Sequence, residues 1–168
     1  MSKFLVIAEK PSVAQSYAKN LSAYKREDGY LEGESCIVSW CLGHLAEYAQ
    51  PEEYDPKYEK WQFDDLPILP EVWKLKVSKD KKKQFDVLCG LMNRADVAYL
   101  VNGCDAGREG ELIFRFVYEQ AECTKTVKRL WISSMEESSI REGFANLKDG
   151  SCYDDLYHSA LCLSLIHI

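Results

Sequence analysis

The sequence predicts an α/β fold, a mainly parallel sheet flanked by helices. Three observations predict it. Short apolar runs at Phe4–Ala8, Val97–Val101 and Val127–Ile132 read as strands, with helix-period segments between them. Two of these runs end in charged clusters: Glu9-Lys10-Pro11-Ser12 after the first, and Asp105-Ala106-Gly107-Arg108-Glu109-Gly110-Glu111 after the second. Parallel strands deliver their C-terminal ends to one crevice, where ligands bind, so acidic groups at two strand ends mark a site.

The elements follow in order. Pro11 opens a helix with Ser12 as a nearby cap, and Val13, Ala14, Tyr17, Ala18 and Leu21 recur at helical spacing to about Tyr24. Glu27-Asp28-Gly29-Tyr30 reads as a turn, and Leu31 to Trp40 as a hairpin or edge strand. Gly43 to Pro70 is a long irregular stretch rich in aromatics and prolines, among them Tyr48, Tyr54, Trp61 and Phe63. Such a loop is either functional or packed down by its own aromatics. Trp73 to Val77 alternates as a strand. A helix is predicted from Lys79 to about Asn93, with Phe85, Leu88, Leu91 and Met92 inward. After Val97–Val101 and the acidic turn, a helix is expected over Glu111–Glu119. The Val127–Ile132 strand follows, then a helix over Ser138–Leu147 stopped by Asp149-Gly150. The chain is expected to leave the sheet near Ser133. That gives a catalytic domain over 1–133 and the start of a helical domain over 134–162, short of packing partners and so loosely docked.

Composition bounds the chemistry. The chain has 168 residues, enough for one domain that buries roughly 70% of its unfolded surface. A formal charge of −6 argues against wholesale electrostatic wrapping of nucleic acid, although it leaves room for a local basic track. Seven cysteines without a Cys-x-x-Cys pair suit neither a disulfide framework nor a zinc site, and fit a reducing cytosol. Cys104 reads as a buried strand-end residue, not a nucleophile. No run approaches a signal or membrane segment, so a cytoplasmic location and no membrane partner are expected.

Asp105 and Glu109 lie four apart and share a helix face if the helix starts at Ala106 or Gly107. Carboxylates with open water positions suit Mg²⁺. Acidic groups in a first helical turn also simply offset the macrodipole. Glu9 tips the balance towards a site, because a second strand-end carboxylate followed by Lys10 adds a proton-transfer group and a phosphate-neutralising cation. His44, in Gly43-His44-Leu45, sits where an imidazole meets a phosphate or merely holds a backbone carbonyl. Lys74, Lys76, Lys79, Lys81, Lys82 and Lys83 form the one concentrated basic track, either a solvated face or a phosphate contact.

Taken together, the Glu9-Lys10-Pro11-Ser12, Gly43-His44-Leu45, Asp105-x-x-Arg108-Glu109-Gly110-Glu111 and Arg129-Leu130-Trp131-Ile132-Ser133-Ser134 segments resemble the N-terminal Toprim domain of type IA DNA topoisomerases, bacterial topoisomerase III branch. The resemblance covers residues 1 to about 162. It implies Mg²⁺ as cofactor, no nucleotide cofactor, and single-stranded DNA as partner. It implies that Glu9 handles the proton of the DNA 3′-oxygen and that Lys10 contacts the scissile phosphate. Asp105 and Glu109, with Glu9, are the implied metal ligands. Arg108 and Glu111 match the motif's flanks and are implied to orient phosphate and carboxylates. Glu111, His44, Lys81, Lys82 and Lys83 are the DNA-contact candidates. Gly107 departs from the pattern, which has a second Asp there, so Mg²⁺ is expected to bind through fewer protein groups.

The family's nucleophilic tyrosine lies in a later domain. None of the ten tyrosines has its arginine and threonine context, and Tyr153 and Tyr157 read as packing residues. The missing remainder of its own chain is therefore an implied partner, and the fragment alone is expected not to relax DNA. Residues 163–168 are read as a non-native tail, since CTGTCTCTTATACACATC, which resembles a transposase adapter end, encodes them. The competing readings are a Toprim primase or nuclease, and a stand-alone Toprim module that binds nucleic acid.

Overall fold

The computed structural model describes residues 2–60 and 62–166, with Leu165 and Ile166 described by their backbone alone. Trp61, His167 and Ile168 lie outside the described residues, and with the last two goes the end of the expected tail.

The first strand, β1 (Lys3–Ala8), is the middle of a mixed sheet of seven strands. Its alternation serves two layers: Leu5 and Ile7 face one side of the sheet, Val6 and Ala8 the other. β1 is flanked by two parallel neighbours, β4 (Cys36–Trp40) and β7 (Val97–Gly103). Beyond β4 a hairpin adds β2 (Lys25–Glu27) and β3 (Tyr30–Glu32), antiparallel. Beyond β7 come the parallel β8 (Val127–Arg129) and the antiparallel β9 (Lys148–Asp149). The α/β expectation holds, with the parallel strands at the centre.

Helices cover both faces. On one, α1 (Pro11–Asn20) and α4 (Glu137–Ala145) bury Val13, Ala14, Tyr17, Ala18 and Ile140 against Val6, Val38, Val101 and Leu130. On the other, α2 (Lys82–Met92) and α3 (Arg108–Gln120) bury Leu88, Met92, Ile113 and Phe114 against Leu5, Ile37 and Leu100.

Several boundaries differ from expectation. α3 starts at Arg108, not Glu111, because its first turn is polar and its apolar face emerges only later. Within Gly43–Pro70, a stretch read as irregular, Ala46–Tyr48 is a strand, β5, paired antiparallel with β6 (Leu75–Val77). Its aromatics divide: Tyr48 and Tyr54 pack on Trp73, while Phe63 stays exposed.

The segment after Ser133 is not loosely docked. β9 extends the sheet, α4 packs on α1, and α5 (Asp154–Ile166) lies along α3, where Tyr157 and Ala160 cover Leu112 and Phe116. Leu163 and Ser164, placed in the expected tail, continue α5.

Candidate metal and acid/base site at the strand ends

β1 and β7 end side by side, Ala8 opposite Gly103, so the residues that follow emerge at the same edge of the sheet. There the Asp105 backbone N–H donates to Glu9 Oε2 at 3.3 Å. Burial raises the Glu9 pKa, as do the charges of Asp105 and, more weakly, Glu109. The Asp105 amide and Lys10 pull it partly back.

The turn that carries Asp105 depends on a glycine. A Cβ at Gly110 would lie 2.2 Å from the Asp105 carbonyl oxygen, so only glycine lets the first turn of α3 close over that peptide. Because α3 begins at Arg108, Asp105 sits ahead of the helix and does not share a helical face with Glu109, contrary to expectation. Glu109 instead meets His44, with Oε1 3.1 Å from Nε2. Since the carboxylate only accepts, the imidazole donates from Nε2. Gly43, at φ 66°, makes the left-handed turn that presents His44. The His44 carbonyl accepts from Lys81 Nζ at 2.9 Å.

Glu9, Asp105, Glu109, His44 and Lys81 are thus joined through direct contacts or neighbouring charges. Arg108 and Lys10 are exposed beside them. Lys82 and Lys83 are engaged in exposed ion pairs, with Asp86 at 3.1 Å and Asp28 at 2.7 Å. Exposed pairs of this kind are weak, so both cations stay available to solvent. Glu111 is the correction. It is 1% exposed, faces the core and cannot touch DNA from there.

What Glu111 does is pair with Arg129, the structural centre that sequence reasoning missed. Arg129 is also 1% exposed, and its Nε lies 2.9 Å from Glu111 Oε2 in a bent approach, an ion pair more than a directed hydrogen bond. Its Nη1 donates to the Cys104 carbonyl at 2.7 Å and its Nη2 to the Asp105 carbonyl at 2.8 Å. Asn102 donates to Glu111 Oε2 at 2.9 Å and accepts from the Cys104 amide at 3.1 Å. Arg115 Nε donates to Glu111 Oε1 at 3.0 Å. From the other face, the Tyr17 hydroxyl donates to the Gly103 carbonyl at 3.0 Å. The backbone that presents Asp105 is therefore held from both sides. The sequence offered Arg129 only as the head of the segment Arg129–Ser134, within the expected Val127–Ile132 strand, with no partner to mark its role.

Three carboxylates at one corner, one of them with a raised pKa, form a hard-oxygen set, with Lys10, Arg108 and Lys81 as nearby countercharges. This chemistry fits a hydrated divalent cation. The set is brought together loosely: among the described residues no three His, Cys, Asp or Glu side chains are gathered closely enough to hold a metal ion. Gly107, which stands where the resemblance implies a further carboxylate, is extended at φ 179° and opens onto free space.

The thiol and phenol groups near the corner are held in their protonated forms or packed away. The Cys41 thiol and burial hold the Cys104 pKa well up. Burial likewise raises the Tyr17 and Tyr157 hydroxyls, and Tyr157 donates to Glu119 at 2.6 Å. Tyr153 stacks on Trp131.

A parallel-sheet core with Glu9 at one strand end and Asp105 and Glu109 after the next is the arrangement that the resemblance to a Toprim domain implies. The chain belongs to that family, whose domain matches residues 4–135. It is 51% identical to the DNA topoisomerase 3 of Bacillus cereus (strain ATCC 14579) over 164 residues, 98% of this chain and 22% of that protein. To the DNA topoisomerase 3 of Bacillus subtilis (strain 168) it is 48% identical over 161 residues, 96% of this chain and 22% of that one. The chain thus spans 22% of the length of these bacterial relatives. Its fold is shared with the full-length topoisomerase I of Thermotoga maritima, at a TM-score of 0.57 and 18% identity, over 86% of this chain and 21% of that chain. No described helix is long and apolar enough to cross a membrane.

Proposed function

We propose that this chain supplies the acid/base and divalent-cation half of a strand-cleaving site acting on single-stranded DNA, as part of a topoisomerase of the type IA, topoisomerase III kind. The observation that carries the reading is the delivery of Glu9 and Asp105 to one edge by adjacent parallel strands, with Glu109 and Lys10 beside them. Glu9 exchanges the proton of the DNA 3′-oxygen as the strand is cut and rejoined, a role suited to a carboxyl held above its ordinary pKa. Lys10 and Arg108 neutralise the phosphate. Asp105 and Glu109, with Glu9, would hold Mg²⁺. When bound, the ion offsets the charge of the carboxylates and of the phosphate. His44, anchored by Lys81, orients Glu109. The nucleophilic tyrosine comes from the remainder of the protein.

A chimera tests this. Residues 1–162 would replace the matching N-terminal part of Bacillus cereus DNA topoisomerase 3, and relaxation of negatively supercoiled plasmid would be followed in Mg²⁺. Activity in the chimera and its loss in Glu9→Ala are expected. A folded chimera that relaxes nothing would overturn the reading.

A further inference from the structure

We infer that the cavity beside Trp131 is a nucleobase pocket, taking one unstacked base of a single DNA strand whose backbone runs past Ser133 towards Lys10. The inference rests on the DNA reading above, and adds a place where the strand is held by a base.

The cavity, ≈ 510 Å³, lies between the exit of β8 and α4. It exists because α4 presses on the strand exit at one point and stands away beside it. A Cβ at Gly143 would lie 2.4 Å from Ile132 Cγ2. One wall is Trp131, which is 43% exposed yet immobilised. Tyr153 stacks on it at 5.0 Å and 22°, and the buried Arg129 guanidinium lies 5.1 Å from its ring centre. A rigid, half-exposed indole is a platform on which a base stacks at small entropic cost.

The other walls carry Ser139, Glu142, Asn146 and Lys148. Lys148 and the Asn146 amide donate, Glu142 accepts, and the hydroxyl does either. Glu142 and Lys148 cancel in charge, so the lining has no bias for a phosphate. A mixed set of donors and acceptors beside an aromatic face matches the edge and face of a base.

The backbone has its own path. A second cavity of ≈ 620 Å³, lined by Lys10, Ser12, Ser16 and Asp105, adjoins the first, with Ile132 and Ser133 lining both. Its hydroxyls and the Lys10 ammonium can donate to sugar and phosphate oxygens, while Asp105 offsets the lysine's charge. A strand with a base beside Trp131 therefore leads to the carboxylate corner.

The test uses the chain itself and fluorescence anisotropy of labelled oligothymidylate of about 12 nucleotides. The competitor is an abasic strand of equal length. Wild type should prefer the thymidylate by about 5- to 150-fold, the span that stacking one base supplies. Trp131→Ala should lose that preference and keep its affinity for the abasic strand. Ser139→Phe, which fills the pocket from α4 and leaves the Trp131–Tyr153 stack in place, should do the same. Trp131→Phe should retain most of it. Equal binding of both strands by wild type, or a preference that survives both Trp131→Ala and Ser139→Phe, would overturn the pocket and leave the DNA reading standing. Binding of neither strand would overturn both.

Discussion

The Glu111 carboxylate and the Arg129 guanidinium meet 2.9 Å apart, with side chains 1% and 0% exposed, directly beneath the peptide that presents Asp105. The pair joins the first turn of α3 to the end of β8. Arg115 supplies a second cation to the same carboxylate.

Removing the charge of Glu111 leaves two arginines facing a neutral group. Glu111→Gln is expected to cost about 3–5 kcal/mol, as breaking a buried pair does. Urea denaturation of the chain measures it. A loss below about 1 kcal/mol would mean that water reaches Arg129 and that the pair does not brace the turn.

Gly107→Asp restores the carboxylate that the acidic motif lacks. Its backbone is extended and a Cβ there meets nothing within 4 Å. Position 107 is also the N-cap of α3, where Asp is favoured. The variant should fold with unchanged or slightly higher stability and bind Mg²⁺ on the order of tenfold more tightly, by one more oxygen ligand. Calorimetric titration reads this directly, and identical Mg²⁺ isotherms would show that position 107 does not face the ion.

Two glycines in helices make opposite predictions. Gly110→Ala drives a methyl group into the Asp105 carbonyl and should cost roughly 2–3 kcal/mol. Gly90→Ala, on α2 with open space around it, should gain about 0.5–1 kcal/mol. Paired thermal melts decide it; similar shifts for both would sink the close-approach argument.

Glu32 gives the pH dependence. Arg94 first, then Lys3, holds its pKa below the ordinary glutamate value, through contacts of 2.9 and 2.6 Å. A lowered folded-state pKa means stability that is complete above the unfolded value, near ~4.3. It is lost as pH falls through the lower folded-state value. Glu32→Gln should therefore melt below wild type at pH 7, with the gap closing in acid. A gap that stays constant with pH would assign the loss to packing alone.

The central layer was legible because it is written locally. β1 and β7 are apolar runs, α1 and α2 carry helical periodicity, and both acidic clusters directly follow strands. The edges were not. β9 has two residues, Lys148 and Asp149, too few to show a period, and pairing with β8 alone makes it a strand. The apolar faces of α4 and α5 fit a separate helical unit equally well until α1 and α3 stand opposite them. In the site, Glu9, Asp105 and Glu109 could be named from their positions. The burial of Glu111 could not, because a charged residue enters a core only when distant partners neutralise it. Those partners, Arg129 and Asn102, lie on separate strands.

β1 precedes the other described strands along the chain, yet it lies at the centre of the sheet. Phe4 pairs with Cys36 on one side and with Tyr99 on the other, so the strand stays open along one edge until most of the domain has been made. Pairing between such distant segments closes late in folding. Glu9 lies 96 residues ahead of Asp105 and acquires it as a neighbour only when β7 docks. The carboxylate corner is therefore assembled only when β1 and β7 pair, and a half-folded chain has Glu9 without Asp105 beside it.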